Sequence, residues 1–430
     1  MKARILIAVT AAVGAAAVLL LGGALRTSQG AAGTAPVARA ALPPAHGAEA
    51  EVRRQQAAVR SDPTDVRALT ALGFAYEQRM RETADPTYLT KADGVLHQAL
   101  RLAPHSADAV VGLGSLALSR HQFGRAVVLG RRAQRLAPGA GLPYGIEGDG
   151  LLELGRYRAA FKAFTDMVRA EPGASAYARI SYARELIGNR TGAEAAMRLA
   201  LEASQGQAEP TAWARVELGK LLFGSGRTRA AVRQFRIAQV LMPGYPQALD
   251  SLARAEAALG RQQRAIRLAN RAVETVPLPQ FVTTLADLLQ ANGRLAEARR
   301  DYALIGVVER LLRANGVRSD LEIAQFYVDH GIRLPHALVL ARRARAERPS
   351  ILGDDVLGWA LTRNGRCAEG LRWATHSLRL GTRDATMFFH RAMAERCAGH
   401  PRAAHAWFHR ALALNPHFSP IWSPVARRYR

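Results

Sequence analysis

Few residues of this 430-residue chain have types and spacings that could do chemistry. His405 and His409 are four residues apart, which places two imidazoles on one face of a helix, as a metal pair requires. Because no third ligand accompanies them, we interpret them as surface residues and expect no metal site. No Ser–His–Asp, Cys–His or paired-carboxylate arrangement is evident either, so we expect neither enzymatic activity nor a cofactor.

A glycine-rich run over residues 145–150 has the composition of a phosphate-binding loop. Such a loop follows a β-strand and opens a helix. Here the run has no strand before it, and the flanking residues have the spacing of one continuous helix. The run therefore gives no support for nucleotide binding.

The composition is strongly basic, with a formal net charge of +24, and 49% of the residues are hydrophobic. That hydrophobic share excludes a disordered chain, and a total of two cysteines excludes a small disulfide-stapled fold. All but four of the 59 basic residues are arginine. The charge predicts attraction to an anionic partner, which makes nucleic acid, anionic lipid and acidic envelope polymers the first candidates.

The N-terminal residues 1–26 predict a membrane-directed segment. Lys2 and Arg4 precede an uncharged run that Arg26 closes, and the run is long enough to span a membrane. We expect either an uncleaved anchor or a signal peptide that is cleaved near residue 40. Positive charge on the short N-terminal side places the rest of the chain outside the cytoplasm, so nucleic acid is not expected as a partner.

One pattern recurs through most of the remaining chain. From Asp108 to Pro138, small and apolar residues follow one another at intervals of three and four, in two stretches separated by a turn at residues 121–124. These intervals place them on one stripe of each of two helices. Pro104, Pro138 and Pro172 mark a period of 34 residues.

This period and pattern resemble the tetratricopeptide repeat (TPR) over nearly all of the chain after residue 48, and we count ten copies. The resemblance implies an all-α, right-handed solenoid of helical hairpins, because a single hairpin cannot bury its apolar stripe alone. The predicted domains are a signal peptide or anchor at 1–26, an Ala/Pro/Gly-rich tether at 27–48, a capping half-repeat helix at 49–63, the solenoid at 64–418 and a basic tail at 419–430.

A TPR solenoid presents its concave surface mainly on the first helix of each hairpin. Acids outnumber bases at these positions although the whole chain is basic, and aromatic residues lie among them. The predicted partner-binding groove comprises Asp149, Tyr182, Glu185, Trp213, Lys220, Asp250, Arg254, Asp287, Glu322, Phe326, Asp329 and Trp359. Acids near helix starts also have a simpler explanation, since they cap free N–H groups and favour the helix dipole.

Two functions are compatible with this groove. The leading interpretation is a non-enzymatic protein–protein interaction scaffold of a bacterial cell envelope that binds an extended basic or aromatic segment of a protein partner. The alternative is an accessory protein for export or assembly of an envelope polysaccharide, with Tyr182, Trp213, Phe326 and Trp359 in contact with sugar. Arginines on the second helices and turns predict additional, loose attraction to anionic envelope polymers.

The two cysteines fall at corresponding ends of neighbouring repeats. Cys367 begins the second helix of the ninth copy, and Cys397 ends the first helix of the tenth. Since consecutive helices run antiparallel, both lie at the same end of the stack. Two interpretations stay open: a disulfide in an oxidising compartment, or two partly buried thiols that pack as small hydrophobic residues.

Overall fold

The structure is a computed structural model, and it describes residues 48–430. Over this range the chain forms twenty-two α-helices and no β-strand. The helices are α1 (Ala48–Ser61), α2 (Val66–Thr83), α3 (Thr87–Leu102), α4 (Ala107–Ser119), α5 (Phe123–Leu136), α6 (Leu142–Glu153), α7 (Tyr157–Ala170), α8 (Ala174–Leu186), α9 (Arg190–Ala203), α10 (Ala208–Gly224), α11 (Thr228–Leu241), α12 (Pro246–Ala258), α13 (Gln262–Thr275), α14 (Pro279–Ala291), α15 (Leu295–Ala314), α16 (Asp320–His330), α17 (Leu334–Glu347), α18 (Ile351–Arg363), α19 (Cys367–His376), α20 (Ala385–Cys397), α21 (Pro401–Leu414) and α22 (Trp422–Arg428).

Helices α2 to α21 form ten hairpins, so the predicted all-α solenoid of ten repeats is confirmed. Repeat 1 is α2–α3, and repeat 10 is α20–α21. Most first helices also contact the first helix of the next repeat and are buried along much of their length, whereas second helices keep an exposed face. The first helices therefore form the inner layer of the solenoid and the second helices its outer layer.

Small residues on the first helices let the two helices of a hairpin approach closely. Gly148 lies against the Phe164 ring, and a β-carbon added at this glycine would be 2.4 Å from the nearest ring atom. A β-carbon added at Gly219 would likewise be 2.3 Å from the nearest atom of the Phe235 ring. Both rings are buried. The same spacing in sequence thus produces the same contact in two repeats, and a larger side chain at either glycine would push the helices apart.

Each hairpin turn contains one residue with a positive φ angle, and the turn of repeat 8 contains a second, Arg333. In repeats 3 to 10 the first such residue is a glycine, namely Gly155, Gly188, Gly226, Gly260, Gly293, Gly331, Gly365 and Gly399. Repeats 1 and 2 use Ala84 and His121 instead, with φ of 56° in both. The left-handed backbone suits glycine, so the two exceptions indicate that other contacts hold those turns.

The solenoid winds so far that its second superhelical turn packs on its first. Residues in or beside the hairpin turns of repeats 2, 3, 4 and 5 hydrogen-bond to residues in or beside the loops that follow repeats 7, 8, 9 and 10, in that order. The bonded residues are 192 to 197 positions apart in sequence. We call this boundary between the superhelical turns the seam.

Apolar residues continue the seam toward the N-terminus. Val276, in the loop after repeat 6, and Val308 of α15 belong to the same buried cluster as Leu72 and Leu96 of repeat 1. The hairpin turns of repeats 1 to 5 therefore form a covered edge of the superhelix. The hairpin turns of repeats 6 to 10 form the opposite, free edge.

The described range begins and ends with helices outside the hairpins. Helix α1 packs on α2, and the short helix α22 packs on α21. The predicted signal peptide or anchor, with the predicted tether up to residue 47, lies outside the described residues. None of the helices between residues 48 and 430 combines the length and the apolar character needed to cross a membrane.

Candidate functional site

Several predicted groove residues are buried between first helices. Asp149 forms an ion pair with Arg179 of the next repeat, with 2.8 Å between Oδ2 and Nη2, and both side chains are buried. Trp359, which is 0% exposed, donates its Nε1–H to Asp329 at 2.8 Å and stacks on His390. These groups hold neighbouring repeats together, so the prediction of a partner contact at Asp149 and Trp359 is corrected.

The predicted aromatic platform for sugar is also largely inaccessible. Trp213 and Phe326 are 2% and 7% exposed. Phe326 packs against the rings of Tyr302 and His330, while Tyr182 alone among the four aromatic positions keeps a half-buried surface. The polysaccharide alternative therefore loses most of its proposed contact surface.

Glu322 lies at the seam rather than in a free groove. Its Oε1 accepts a hydrogen bond from Nη1 of Arg348 at 2.7 Å, and Oε2 lies 3.9 Å from Nδ1 of His121. Burial alone would raise the pKa of Glu322, but the Arg348 and His121 charges lower it overall. Its role in partner binding is corrected to a structural one.

Arg348 is the central side chain of the seam. It is 3% exposed, and its Nε and Nη2 donate to Glu153 of repeat 3 at 3.1 and 2.7 Å. Its guanidinium also lies 4.9 Å above the Phe123 ring. Although burial opposes its charge, Glu153 and Glu322 raise the pKa of Arg348 above its usual range. One cation thus joins two carboxylates and a ring from different parts of the superhelix.

Further hydrogen bonds to backbone groups extend the seam on both sides of Arg348. His121 Nδ1 bonds to the carbonyl oxygen of Arg318 at 2.8 Å, which explains why a non-glycine residue occupies that turn. On the other side, Thr382 donates to the carbonyl oxygen of Leu186, and Asn415 donates to that of Phe223 at 3.0 Å. These three hydrogen bonds each join a side chain on one superhelical turn to a backbone carbonyl on the other.

Carboxylates of the inner layer form a second set. Each repeat from 4 to 10 contributes one acid from its first helix or the N-cap of that helix. They are Glu185, Glu217, Asp250, Asp287, Asp329, Asp355 and Asp384. The superhelix brings the last of them back beside the first, since Asp384 raises the pKa of Glu185. We call these seven residues the inner acidic ring.

Basic side chains neutralise part of the ring. His330 bonds to Asp287 at 2.8 Å, and His390 bonds to Asp355 at 2.9 Å. Burial would lower the pKa of both imidazoles, but the neighbouring carboxylates raise it overall. Lys220 donates to Glu217 at 2.7 Å.

Other members of the ring have no ion-pair partner within the described part of the chain. Glu185 has none, and burial, followed by the charges of Asp384 and Glu217, raises its pKa to about 7. Asp250 is 8% exposed, and burial raises its pKa although the nearby exposed Arg254 opposes the shift. The ring therefore contains carboxylates that are poorly solvated and not neutralised, which favours a cation from outside.

Of the predicted groove residues, the ring includes Glu185, Asp250, Asp287 and Asp329, with Lys220 and Arg254 beside them. The predicted groove residues do not include the other three members, Glu217, Asp355 and Asp384. Asp384 could have been predicted, because an Asp directly before a helix commonly caps it. Its carboxylate does accept hydrogen bonds from the backbone N–H groups of Thr386 and Met387. Over residues 48–430, no three or more His, Cys, Asp or Glu side chains are arranged to hold a metal ion.

Cys367 and Cys397 form a disulfide in the structure, with their Cα atoms 5.2 Å apart. The bond joins the start of α19 to the end of α20. It thus links repeats 9 and 10 beside their hairpin turns, on the free edge of the superhelix.

Comparisons with known proteins identify the repeats. A family model for the tetratricopeptide repeat matches residues 89–141 and 216–278. No curated protein matches the chain significantly. Among solved structures, the chain is similar to human IFIT1 in its dimer with m7Gppp-AAAA, with 12% identity over 87% of this chain and 96% of that one and a TM-score of 0.46.

Two further solved structures are similar over a shorter part of the chain. YrrB, described as a TPR protein with an unusual peptide-binding site, shares 19% identity over 42% of this chain and 91% of its own, with a TM-score of 0.29. TTC0263, a thermophilic TPR protein of Thermus thermophilus, shares 23% identity over 40% of this chain and 91% of its own, with a TM-score of 0.36.

The two segments matched by the family model lie in separate parts of the solenoid, one spanning repeats 1 and 2 and the other repeats 5 and 6. The remaining hairpins have the same architecture. The chain therefore contains tetratricopeptide repeats, and its ten hairpins form one TPR-like solenoid.

Proposed function

We propose that this protein is a non-enzymatic scaffold of the cell envelope that holds an extended, basic segment of a partner protein against the inner acidic ring. The observation that carries the proposal is the ring itself, in which seven successive repeats each supply a carboxylate. Glu185 and Asp250 lack an ion-pair partner among the described residues, so the ring has unused capacity for cations.

A partner's Lys or Arg would relieve an existing energetic cost. Burial and two neighbouring carboxylates raise the pKa of Glu185 to about 7, so the group carries only a partial charge at neutral pH. An approaching cation favours the ionised form and lowers that pKa, and a proton leaves on binding. Binding should therefore strengthen as the pH rises from 6 to 8.

Isosteric neutralisation tests the proposal. The probe is a fluorescein-labelled twelve-residue peptide of alternating Arg and Ala, titrated with the full chain at fixed ionic strength. We expect the triple variant Glu185→Gln, Asp250→Asn, Asp384→Asn to bind roughly ten-fold more weakly, because three charges facing the peptide are lost. Asn at position 384 can still cap α20, and thermal unfolding verifies that the variant is folded.

A matched control separates the ring from the overall charge. The variant Glu202→Gln, Glu274→Gln, Glu347→Gln removes three exposed charges on second helices. We expect its affinity for the peptide to stay within roughly two-fold of the wild type. Equal weakening in both triple variants, or no pH dependence between 6 and 8, would overturn the proposal.

The envelope location is the second part of the proposal. We infer that residues 1–26 direct the chain to a membrane and that the solenoid lies outside the cytoplasm, either anchored by one span or released after cleavage near residue 40. The Cys367–Cys397 disulfide supports this location, because such bonds persist in oxidising compartments. Protease added to intact spheroplasts should digest the solenoid; full protection would contradict the proposed orientation.

A further inference from the structure

A cavity of about 840 Å³ opens at the C-terminal end of the seam, on the outer side of the superhelix. One wall belongs to the first superhelical turn and comprises the start of α9 and the hairpin turn of repeat 5. The other wall comprises the loop between α19 and α20 together with parts of α20 and α21. The cavity thus exists only because two superhelical turns meet, and none of its lining residues belongs to the inner acidic ring.

The cavity is strongly basic. Its basic side chains are Arg190, Arg227, Arg383, His409 and Arg410. Glu194 is the one carboxylate among its lining residues, and it is already paired with Arg227. Arg383 and Arg410 form no ion pair with any described residue. Burial lowers the pKa of Arg190, and the charges of Arg383 and Arg227 lower it further although Glu185 opposes them.

An apolar floor lies beside these charges. It is formed by Leu378, Phe388, Trp407 and Leu414. The Phe388 and Trp407 rings have their centroids 5.4 Å apart, and the Arg410 guanidinium lies 4.4 Å from the Trp407 ring. Both rings are partly exposed. A ligand that fits here carries negative charge next to a large apolar group.

A second, smaller cavity continues the same surface. It has a volume of about 460 Å³ and shares Arg227 with the first. Arg229 and Arg233 contribute further positive charge, and no acid lines it. The two cavities together form a basic track along the seam, which is suited to an extended ligand rather than to a single small anion.

We propose that this track binds an acidic segment of a partner protein in which a large apolar side chain is flanked by Asp or Glu. The apolar side chain occupies the floor around Phe388 and Trp407, and the flanking carboxylates contact Arg383 and Arg410. Guanidinium groups bind carboxylates in bidentate geometry, which gives such contacts both strength and orientation. The proposal concerns a different surface and the opposite charge from the inner acidic ring, so it stands independently of the proposed function.

The apolar floor favours a peptide over a purely charged polyanion as the ligand of the track. Leu378 and Leu414 extend the floor beyond the two rings with aliphatic surface, which forms no hydrogen bond with a sugar ring or a polyphosphate. A Phe or Leu side chain of a peptide gains free energy by leaving water at such a floor. Pure charge attraction would not distinguish an acidic peptide with an apolar anchor from one without it.

Fluorescence anisotropy with the full chain tests the proposal. The probe is a fluorescein-labelled twelve-residue peptide with one central Phe flanked by Asp and Glu, beside the same peptide with Ala in place of Phe. We expect the variant Arg383→Ala, Arg410→Ala to bind the Phe peptide roughly ten-fold more weakly, because two charge-assisted contacts are lost. Ala413→Trp, which fills the floor without removing charge, should weaken binding similarly.

The control variant Arg267→Ala, Arg271→Ala removes two exposed arginines of α13 that lie away from the track. We expect it to change the affinity by less than roughly two-fold. The proposal is overturned if the control weakens binding as much as Arg383→Ala, Arg410→Ala does, or if the Phe and Ala peptides bind equally. It is also overturned if polygalacturonate or polyphosphate binds the track while the Phe peptide does not.

Discussion

The covered and free edges of this superhelix are built from the same hairpin turn in different surroundings. On the covered edge, a β-carbon added at Gly155 would lie 2.2 Å from the carbonyl oxygen of Pro349, and one at Gly188 would lie 2.3 Å from that of Gly381. On the free edge, the same atom at Gly260 or Gly293 would meet nothing within 4 Å. The local fold of a TPR turn therefore does not determine its environment.

This difference bears on how the solenoid is stabilised. In a linear repeat array each repeat contacts only its neighbours, and stability is a sum of nearest-neighbour contributions. Here the covered edge adds contacts between residues almost 200 positions apart, such as Arg348 with Glu153. The free edge lacks that support, and the disulfide between repeats 9 and 10 stabilises it covalently instead.

Removing the central cation of the seam should have the largest effect. Arg348→Ala leaves the buried Glu153 and Glu322 without their shared partner, so we expect the free energy of unfolding to fall by about 3–5 kcal/mol. Urea denaturation followed by circular dichroism measures it. The control Arg343→Ala breaks an exposed ion pair with Asp320 and should cost less than about 1 kcal/mol. Similar losses in both variants would show that Arg348 does not join the superhelical turns.

Removing the disulfide should weaken the free edge by a somewhat smaller amount. The variant Cys367→Ser, Cys397→Ser loses a cross-link that closes a loop of about 30 residues, which corresponds to about 3.5 kcal/mol. Hydrogen exchange should show faster exchange in α19 to α21 and little change along α4 to α7. Uniform acceleration through the whole chain would contradict a local role for the bond.

Neutralising Glu185 should change the free energy of unfolding the least, and it should stabilise the protein rather than destabilise it. The pKa of about 7 in the folded protein exceeds the ordinary 4.5, so folding binds a proton between these pH values and stability falls as the pH rises through that window. This pKa change corresponds to at most about 3 kcal/mol at pH 8. Because solvent screens the partly exposed carboxylate, we expect Glu185→Gln to raise the free energy of unfolding by about 1 kcal/mol at pH 8 and to change it little at pH 4.

A second variant relates this effect to the covered edge. Asp384 belongs to repeat 10 but raises the pKa of Glu185 in repeat 4. In an Asp384→Asn background, Glu185→Gln should therefore stabilise the protein less at pH 8 than it does alone. An unchanged gain would indicate that repeat 10 does not approach repeat 4.

The repeats could be predicted from the sequence, whereas the seam could not. The glycine-to-phenylalanine contacts within hairpins, such as Gly148 with Phe164, depend on local spacing that a single repeat displays. The contact of Arg348 with Glu153 depends on small rotations between successive repeats that accumulate over five or six of them. No short pattern in the sequence predicts the accumulated rotation. The one local indication of the seam is His121, which occupies a turn position where repeats 3 to 10 have glycine.

The candidate site divides in the same way. Acids of the first helices were predicted as an inner set, and Glu185, Asp250, Asp287 and Asp329 do lie together in the inner layer. Asp149 and Trp359 have the same register in their repeats as Asp287, but neighbouring side chains bury them. Sequence pattern gives the face of a helix, while the partners on the next repeat decide whether a side chain on that face is free.

Four single alanine substitutions test the closed superhelix most directly. Each of Gly155→Ala, Gly188→Ala, Gly260→Ala and Gly293→Ala places a β-carbon at a positive φ, which costs about 1–2 kcal/mol wherever the turn lies. At Gly155 and Gly188 the β-carbon also collides with a backbone carbonyl of the second superhelical turn, which adds about 2 kcal/mol. We predict that urea denaturation will show this larger loss on the covered edge, and equal losses at all four positions would contradict a seam between the superhelical turns.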